Sequence, residues 1–272
     1  MNDIIFAKPR HEYASYTDLY RLIELSGFPT CFIDEIDDAS INTYILTILN
    51  GEVRDGGYLG SRARILLWDL EWHLSTDGYF RQPFAAPPGV EILAADKWYA
   101  EQIGARYVPM GSHPGLRETV TDHSKQYDVA YIGYINGVAR RERIRQQLVE
   151  RGVRVSPPTA WGTERDWLLN DSIAYLHVHQ WDNVPTIAPL RMVVAAAYGL
   201  PVITETVADY GYFSDCCYGL DYADLAENVE AWTHNIYAPR VEFLRSLERQ
   251  GKHLYEKLCR DLTFRKSIEA AL

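Results

Sequence analysis

The sequence predicts an α/β protein made of two parallel-sheet domains. Three observations point there: apolar runs of strand length alternate with helical patterns from end to end, Gly or Pro punctuates the junctions, and the alternation restarts after a polar stretch at 111–125. A chain of 272 residues, 47% of them hydrophobic, buries one large core or two modest ones without a covalent staple.

In the first half, apolar runs predict strands at 4–7, 30–33, 64–68, 91–94 and near 106–108, and helices at 15–26, 41–49 and 98–103. Pro83, Pro87 and Pro88, with Phe84, mark 77–89 as an ordered surface loop. Gly111, Pro114 and Gly115 make 111–125 an interdomain connection. The second half opens with a strand at 128–133, a helix at 138–151 and a strand at 153–156 before Pro157-Pro158. Thr163, with Asp166 three residues later, starts a helix in the manner of a capping box. A strand at 173–178, a polar loop, a helix at 189–198 and the buried run from Gly199 to Glu205 follow. A short strand near 218–220 and helices at 222–236 and 239–259 complete the order. No internal repeat is present, which excludes a solenoid.

Composition narrows the function. Cys31, Cys216, Cys217 and Cys259 form no C-x-x-C pair, and two are neighbours, so they read as reduced thiols of a cytoplasmic protein. The first residues run straight into a strand without a signal-peptide pattern. The longest apolar stretch, 192–203, is broken by Gly199 and Pro201 and falls short of the roughly 20 residues that span a bilayer. A net charge of −10 repels polyanions at long range, against which Arg140, Arg141, Arg143, Arg145, Arg151 and Arg154 form a local basic exception.

Ligands of paired α/β domains sit at the carboxyl ends of strands, so residues just after strands are the candidates. Gly133-Tyr134-Ile135-Asn136-Gly137 lets a phosphate or sugar approach the backbone. Its G-x-x-x-G spacing is neither the dinucleotide fingerprint nor a P-loop. Arg140 and Arg141 stand in a helical first turn, where the macrodipole disfavours cations unless an anion is expected. Arg191 follows Pro189 on a helix otherwise made of Met, Val and Ala. A guanidinium there needs acceptors, and a phosphate at the helix N-terminus is favoured over an internal acid. His179 ends its strand facing the cleft, His177 reads as a core histidine, and no spacing supplies a third metal ligand. Asp69, Glu71 and His73 alternate beyond an apolar strand and are candidates for a general base or for holding hydroxyls. Lys8 and Arg10, with His11, end the first strand near substrate phosphate, and Trp161 is a candidate for stacking on a nucleobase.

These features resemble the GT-B glycosyltransferases, specifically the "glycosyl transferases group 1" and CgeB-like type. The likeness lies in Asp128-Val129-Ala130-Tyr131-Ile132-Gly133, Leu176-His177-Val178-His179, Leu190-Arg191 and Ala195-Ala196-Ala197-Tyr198-Gly199-Leu200-Pro201-Val202. It is looser over Val108-Pro109-Met110-Gly111-Ser112 and Leu67-Trp68-Asp69-Leu70-Glu71. The resemblance implies two Rossmann-like domains with parallel sheets facing across a cleft. An acceptor-side domain would span 1–124 and a nucleotide-sugar domain 125–251, with the tail of about 252–272 packing back on the first. It implies a hexosyl- or pentosyltransferase with no cofactor and no obligatory metal, using a UDP- or GDP-sugar. The acceptor would be a glycan, a small molecule or, as in phage-type enzymes, a modified DNA base. Carried across, Gly133 to Gly137, Arg140 or Arg141 and Arg191 would meet the donor phosphates, and Glu205 and Thr206 the sugar or ribose. Many relatives carry two glutamates eight residues apart before G-L-P, where this chain has Thr186 and Val194. That departure keeps open a catalytically inactive nucleotide- or glycan-binding module, and a different α/β nucleotide enzyme such as an epimerase or methyltransferase is a third reading.

Overall fold

The computed structural model describes residues 4–10, 16–37, 42–48, 63–70, 90–117, 125–133, 135, 137–158, 162–234 and 239–272. The chain divides into unit 1, Met1–Gly111 with Thr263–Leu272, and unit 2, Ser112–Leu262.

Unit 1 contains β1 (Ile4–Lys8), α1 (Thr17–Leu25), β2 (Thr30–Phe32), β3 (Thr43–Ile48), β4 (Arg64–Asp69), β5 (Glu91–Ala94), α2 (Lys97–Ile103) and β6 (Arg106–Tyr107). The strands form a parallel sheet in the order β2-β1-β3-β4-β5-β6. The helix expected at 41–49 is instead β3. Thr43 through Thr47 are buried, so the run lies within the sheet, and β-branched and aromatic side chains favour the extended form over a helix. Asp96 caps α2 through the Tyr99 amide at 2.8 Å, and Gly104 closes it at φ 66°, where a side chain would be strained.

Unit 2 contains β7 (Tyr127–Ala130), α3 (Ala139–Glu150), α4 (Gly162–Asn170), β8 (Ser172–His177), α5 (Pro189–Ala197), β9 (Val202–Glu205), β10 (Cys217–Leu220), α6 (Leu225–His234) and α7 (Pro239–Glu256), which runs into a π turn at Lys257–Asp261. Its parallel sheet has the order β10-β9-β8-β7. The strand expected at 153–156 shrinks to one bridge, Val129 with Val155, because Pro157 lacks the N–H that would continue the ladder. The core packs Val129, Tyr131, Ile144, Leu148, Leu176, Ile203 and Val229 between the sheet and its helices.

The start of the expected connection is an ordered part of unit 2. The Ser112 amide donates to the Leu258 carbonyl at 2.9 Å, and its hydroxyl to the Val193 carbonyl at 2.8 Å. At the other end of the chain, α8 (Phe264–Ala271) belongs to unit 1. Phe264 is fully buried among Phe6, Phe28 and Trp68, with ring centroids 5.7–6.1 Å away. Arg265 donates to the carbonyls of Ser26 at 2.8 Å and Gly27 at 3.0 Å. Among the described residues, no helix is long and apolar enough to cross a membrane.

Candidate functional site

The carboxyl ends of β7, β8 and β9 gather charged and polar groups within unit 2. After β7 the backbone turns at Gly133 with φ 134°, a conformation that L side chains rarely adopt. The Arg191 guanidinium lies against it: a Cβ at Gly133 would stand 2.9 Å from Nη2 and 3.1 Å from Nη1. Arg191 Nη1 donates to the Ile132 carbonyl at 3.3 Å, so among the described residues its hydrogen-bond partner is a main-chain oxygen. Pro189 has no N–H, and the amides of Arg191 and Met192 both donate to the Ala188 carbonyl at 3.2 and 3.4 Å. The guanidinium of Arg191 adds positive charge at this helix start.

Arg141 is the second cation, only 6% exposed, with Nε donating to the Val178 carbonyl at 2.9 Å. Burial, and then the charge of Arg191, pull its pKa down to about 10. Two guanidiniums that disfavour each other make an environment in which an anion is stabilised. Gly137, in the left-handed region at φ 77°, donates its amide to Glu142 at 2.8 Å, which braces the turn before α3.

Arg140 has a different assignment. Its Nη1 and Nη2 grip the two oxygens of Glu205 at 2.9 and 2.8 Å, and Nη1 also reaches the His179 carbonyl at 3.3 Å. Its Nε pairs with Asp182 at 2.6 Å, and its Cζ sits 3.9 Å from the centre of the Tyr222 ring. Burial opposes the charge, but the hydrogen bonds and charge of Glu205, then Asp182, raise the pKa of Arg140. Glu205 is 6% exposed and also accepts the His179 amide at 2.7 Å. Arg140 and Glu205 thus hold one another and the start of the loop after β8. Thr206 continues the strand, its amide donating to the Leu220 carbonyl at 2.9 Å.

His177 and His179 meet edge to face at 4.6 Å. His177 Nδ1 shares a 3.1 Å hydrogen bond with the Thr204 hydroxyl, and burial and the charge of neighbouring groups push its pKa well below the ordinary value. His179 is pushed down to about 3 by burial and then by Arg191, Arg140 and Arg141. Both rings are neutral at pH 7 and add no charge to the cluster. Thr186 and Val194 are buried as well. Among the described residues, Asp215, Cys216 and His253 come close enough to share a cation, but the Lys257 ammonium already bonds Asp215.

In unit 1, Asp69 ends β4 at 1% exposure and accepts the Tyr99 hydroxyl at 2.7 Å. Lys8 lies 5.2 Å from the Tyr20 ring and 5.8 Å from the Phe32 ring. Arg10 pairs with Asp34 at 2.8 Å and Glu35 at 3.2 Å, 4.5 Å from Phe32. Glu71, His73, Tyr134, Asn136 and Trp161 lie outside the described residues. Sequence reasoning passed over Asp182 and Tyr222, which meet Arg140 only once β8, β9 and α3 pack together.

No family model matches the chain. The uncharacterized protein L140 of Acanthamoeba polyphaga mimivirus is 27% identical over 139 residues, 48% of this chain and 45% of that protein, so the match spans less than half of this curated relative. Among solved structures, the DNA-modifying enzyme β-glucosyltransferase aligns over 99% of both chains with a TM-score of 0.60 and 12% identity. AviGT4, a glycosyltransferase involved in avilamycin A biosynthesis, aligns over 100% of this chain and 97% of its own, with a TM-score of 0.57 and 11% identity. A UDP-forming α,α-trehalose-phosphate synthase from Burkholderia vietnamiensis gives 0.54 and 11% over 99% and 96%. The T4 phage β-glucosyltransferase has been crystallised with UDP-glucose and with UDP and Mn2+. At such identities the likeness is one of architecture: two parallel-sheet, Rossmann-like units with the fold of the GT-B glycosyltransferases.

Proposed function

We propose that the chain is a glycosyltransferase that moves a sugar from a nucleoside-diphosphate donor to an acceptor hydroxyl, with unit 2 holding the donor. One observation carries this reading. Arg191 lies on Gly133 at the end of β7 with a backbone carbonyl for a partner, close enough to Arg141 to depress its pKa. A pyrophosphate answers both cations at once, and charge-assisted hydrogen bonds of this kind are the strong ones. Tyr134, Asn136, Gly137 and Trp161 complete the donor side in this scheme, with Glu205 and Thr206 toward the ribose or sugar.

In the reaction, the bond from the anomeric carbon to the β-phosphate oxygen breaks, and its electron pair leaves with the diphosphate. The acceptor oxygen bonds the same carbon and gives its proton to a base. Fixed guanidiniums where that charge accumulates stabilise the transition state without rearranging. Asp69 is occupied by Tyr99, which favours Glu71 or His73 as the base and leaves Asp69 a positioning part at the end of β4. Lys8 serves the acceptor side, whereas the pairing of Arg10 with Asp34 and Glu35 favours a structural part. The arginines supply the neutralising charge in a metal-independent scheme. The acceptor is a glycan, a small molecule or a hydroxylated DNA base, the last favoured by the fold match to a DNA-modifying glucosyltransferase.

Incubation with UDP- and GDP-sugars, with mass-spectrometric readout and with EDTA or Mn2+ added, tests the proposal. Wild-type protein is expected to bind one donor and hydrolyse it slowly, unchanged by EDTA. Arg191→Ala is expected to lose roughly 100-fold in kcat/KM. Binding of no nucleotide sugar would overturn the reading. Thr186 and Val194, buried where acids stand in many relatives, favour a non-catalytic binding module as the second reading. Its signature is donor binding without turnover, unaffected by Glu71→Ala.

A further inference from the structure

The start of β10 gathers a second set of donor atoms in unit 2. β9 and β10 run parallel, with Cys217 opposite Val202, so this start lies at the amino-terminal edge of the sheet, whereas Gly133 follows the carboxyl end of β7. Asp215 and Cys216 come just before β10, and His253 comes from α7, 38 positions further on. His253 Nε2 bonds Asp215 Oδ2 at 2.9 Å, and the Cys216 thiol donates to Asp215 Oδ1 at 3.2 Å. One oxygen, one sulfur and one nitrogen thus lie within 4.8 Å of one another. Cys216 is fully buried, while the side chains of Asp215 and His253 are 54% and 49% exposed, so the trio opens to water on one side.

We infer that Asp215, Cys216 and His253 form a binding site for a divalent cation of the zinc class. Two protons hold the trio together, one on sulfur and one on the imidazole, and a cation replaces both. The thiol gives its proton to solvent and binds as thiolate. The imidazole carries its proton on Nδ1 and offers Nε2, and the carboxylate gives one oxygen. Bonds of about 2.0–2.3 Å in a tetrahedral zinc site put the ligand atoms roughly 3.3–3.6 Å apart, close to the spacing already present. Thiolate and imidazole select such an ion over Mg2+ or Ca2+, and water completes the open side. Lys257 sets the strength. Its ammonium shares Asp215 Oδ1 and opposes a second cation, but the Tyr212 carbonyl at 2.7 Å and the Tyr212 ring at 4.3 Å keep it in place when the carboxylate turns to metal. The bound ion would tie the segment before β10 to α7. This site stands apart from the arginine cluster and does not depend on the sugar-transfer reading.

Titration of the untagged full chain with Co2+, read by absorption, tests the site. One equivalent is expected to give a sulfur-to-cobalt charge-transfer band with the visible bands of a four-coordinate ion, and Zn2+ is expected to abolish both. Zn2+ at about 100 times its Kd is expected to raise the melting temperature by about 5 °C. Cys216→Ser is expected to remove the charge-transfer band, whereas Cys217→Ser, whose sulfur bonds the Phe213 carbonyl at 3.4 Å, is expected to keep it. His253→Ala changes an exposed helix position and is expected to weaken Co2+ binding about 100-fold, and Lys257→Gln to tighten it about tenfold. These two variants decide the matter if Cys216→Ser does not fold. No charge-transfer band in the wild type, a band kept in Cys216→Ser, or equal Co2+ affinity in the wild type and His253→Ala overturns the inference.

Discussion

Gly133 and Arg191 depend on each other, because the guanidinium occupies the space that any side chain at residue 133 would fill. Gly133→Ala combines an unfavourable φ with displacement of Arg191. It is expected to destabilise the protein by about 1–3 kcal/mol in urea titration and to weaken donor binding further. The two histidines set a pH dependence. Unfolded, they titrate near 6.5; folded, His179 titrates at about 3 and His177 well below its ordinary value. Above pH 6.5 neither state takes a proton there. Below it the unfolded chain does so first, so stability falls as pH drops from about 6.5 toward 3. Urea midpoints measured across that range are expected to fall less steeply in His179→Gln. That Arg191 needs an acceptor was legible in the sequence, because it is a first-turn arginine on an apolar helix, and the Ile132 carbonyl supplies one. The grip of Arg140 on Glu205 was not, since those residues lie 65 positions apart and meet only once β8 and β9 pair. Arg140 consequently reads from sequence as a phosphate ligand, whereas its fork is filled by an acid.

Among the elements, buried parallel strands were the most legible, because runs such as 65–68 and 173–176 are apolar on both faces. The same property hid β3: a short apolar run has no period that separates strand from helix, and only its β-branched content argues for the strand. The ends of α5 and α3 fell within a residue or two of expectation, where Pro189 and Gly152 mark them. Helix α8 was harder to separate, because its break from α7 is a π turn that removes no helical residue type from the sequence. Its anchor gives a direct test. Phe264→Ala is expected to cost about 3–5 kcal/mol in unit 1, read as an earlier thermal transition, because the ring fills a buried aromatic cluster.

For the whole molecule, a net charge of −10 stands against bulk affinity for nucleic acid. The basic helix α3 does not reverse it, since Arg151 pairs with Glu230 and Arg154 grips Asp128. Mobility-shift assays at physiological salt are expected to show no retention of unmodified duplex DNA, whichever acceptor the protein uses. The division of the chain is also testable. Residues 112–262 run continuously through unit 2 and carry its core and the arginine cluster. A fragment of that span is expected to fold and to bind UDP, whereas 1–111 alone, lacking Phe264, is expected to give no cooperative melt.

Unit 1 closes only when Thr263–Leu272 seats Phe264 beside Phe6, Phe28 and Trp68. On the ribosome, its first 111 residues emerge long before that helix does, and all of unit 2 is translated in between. The amino-terminal lobe must therefore wait with an unfilled aromatic socket, open to chaperones, while the lobe made later is the first able to finish folding.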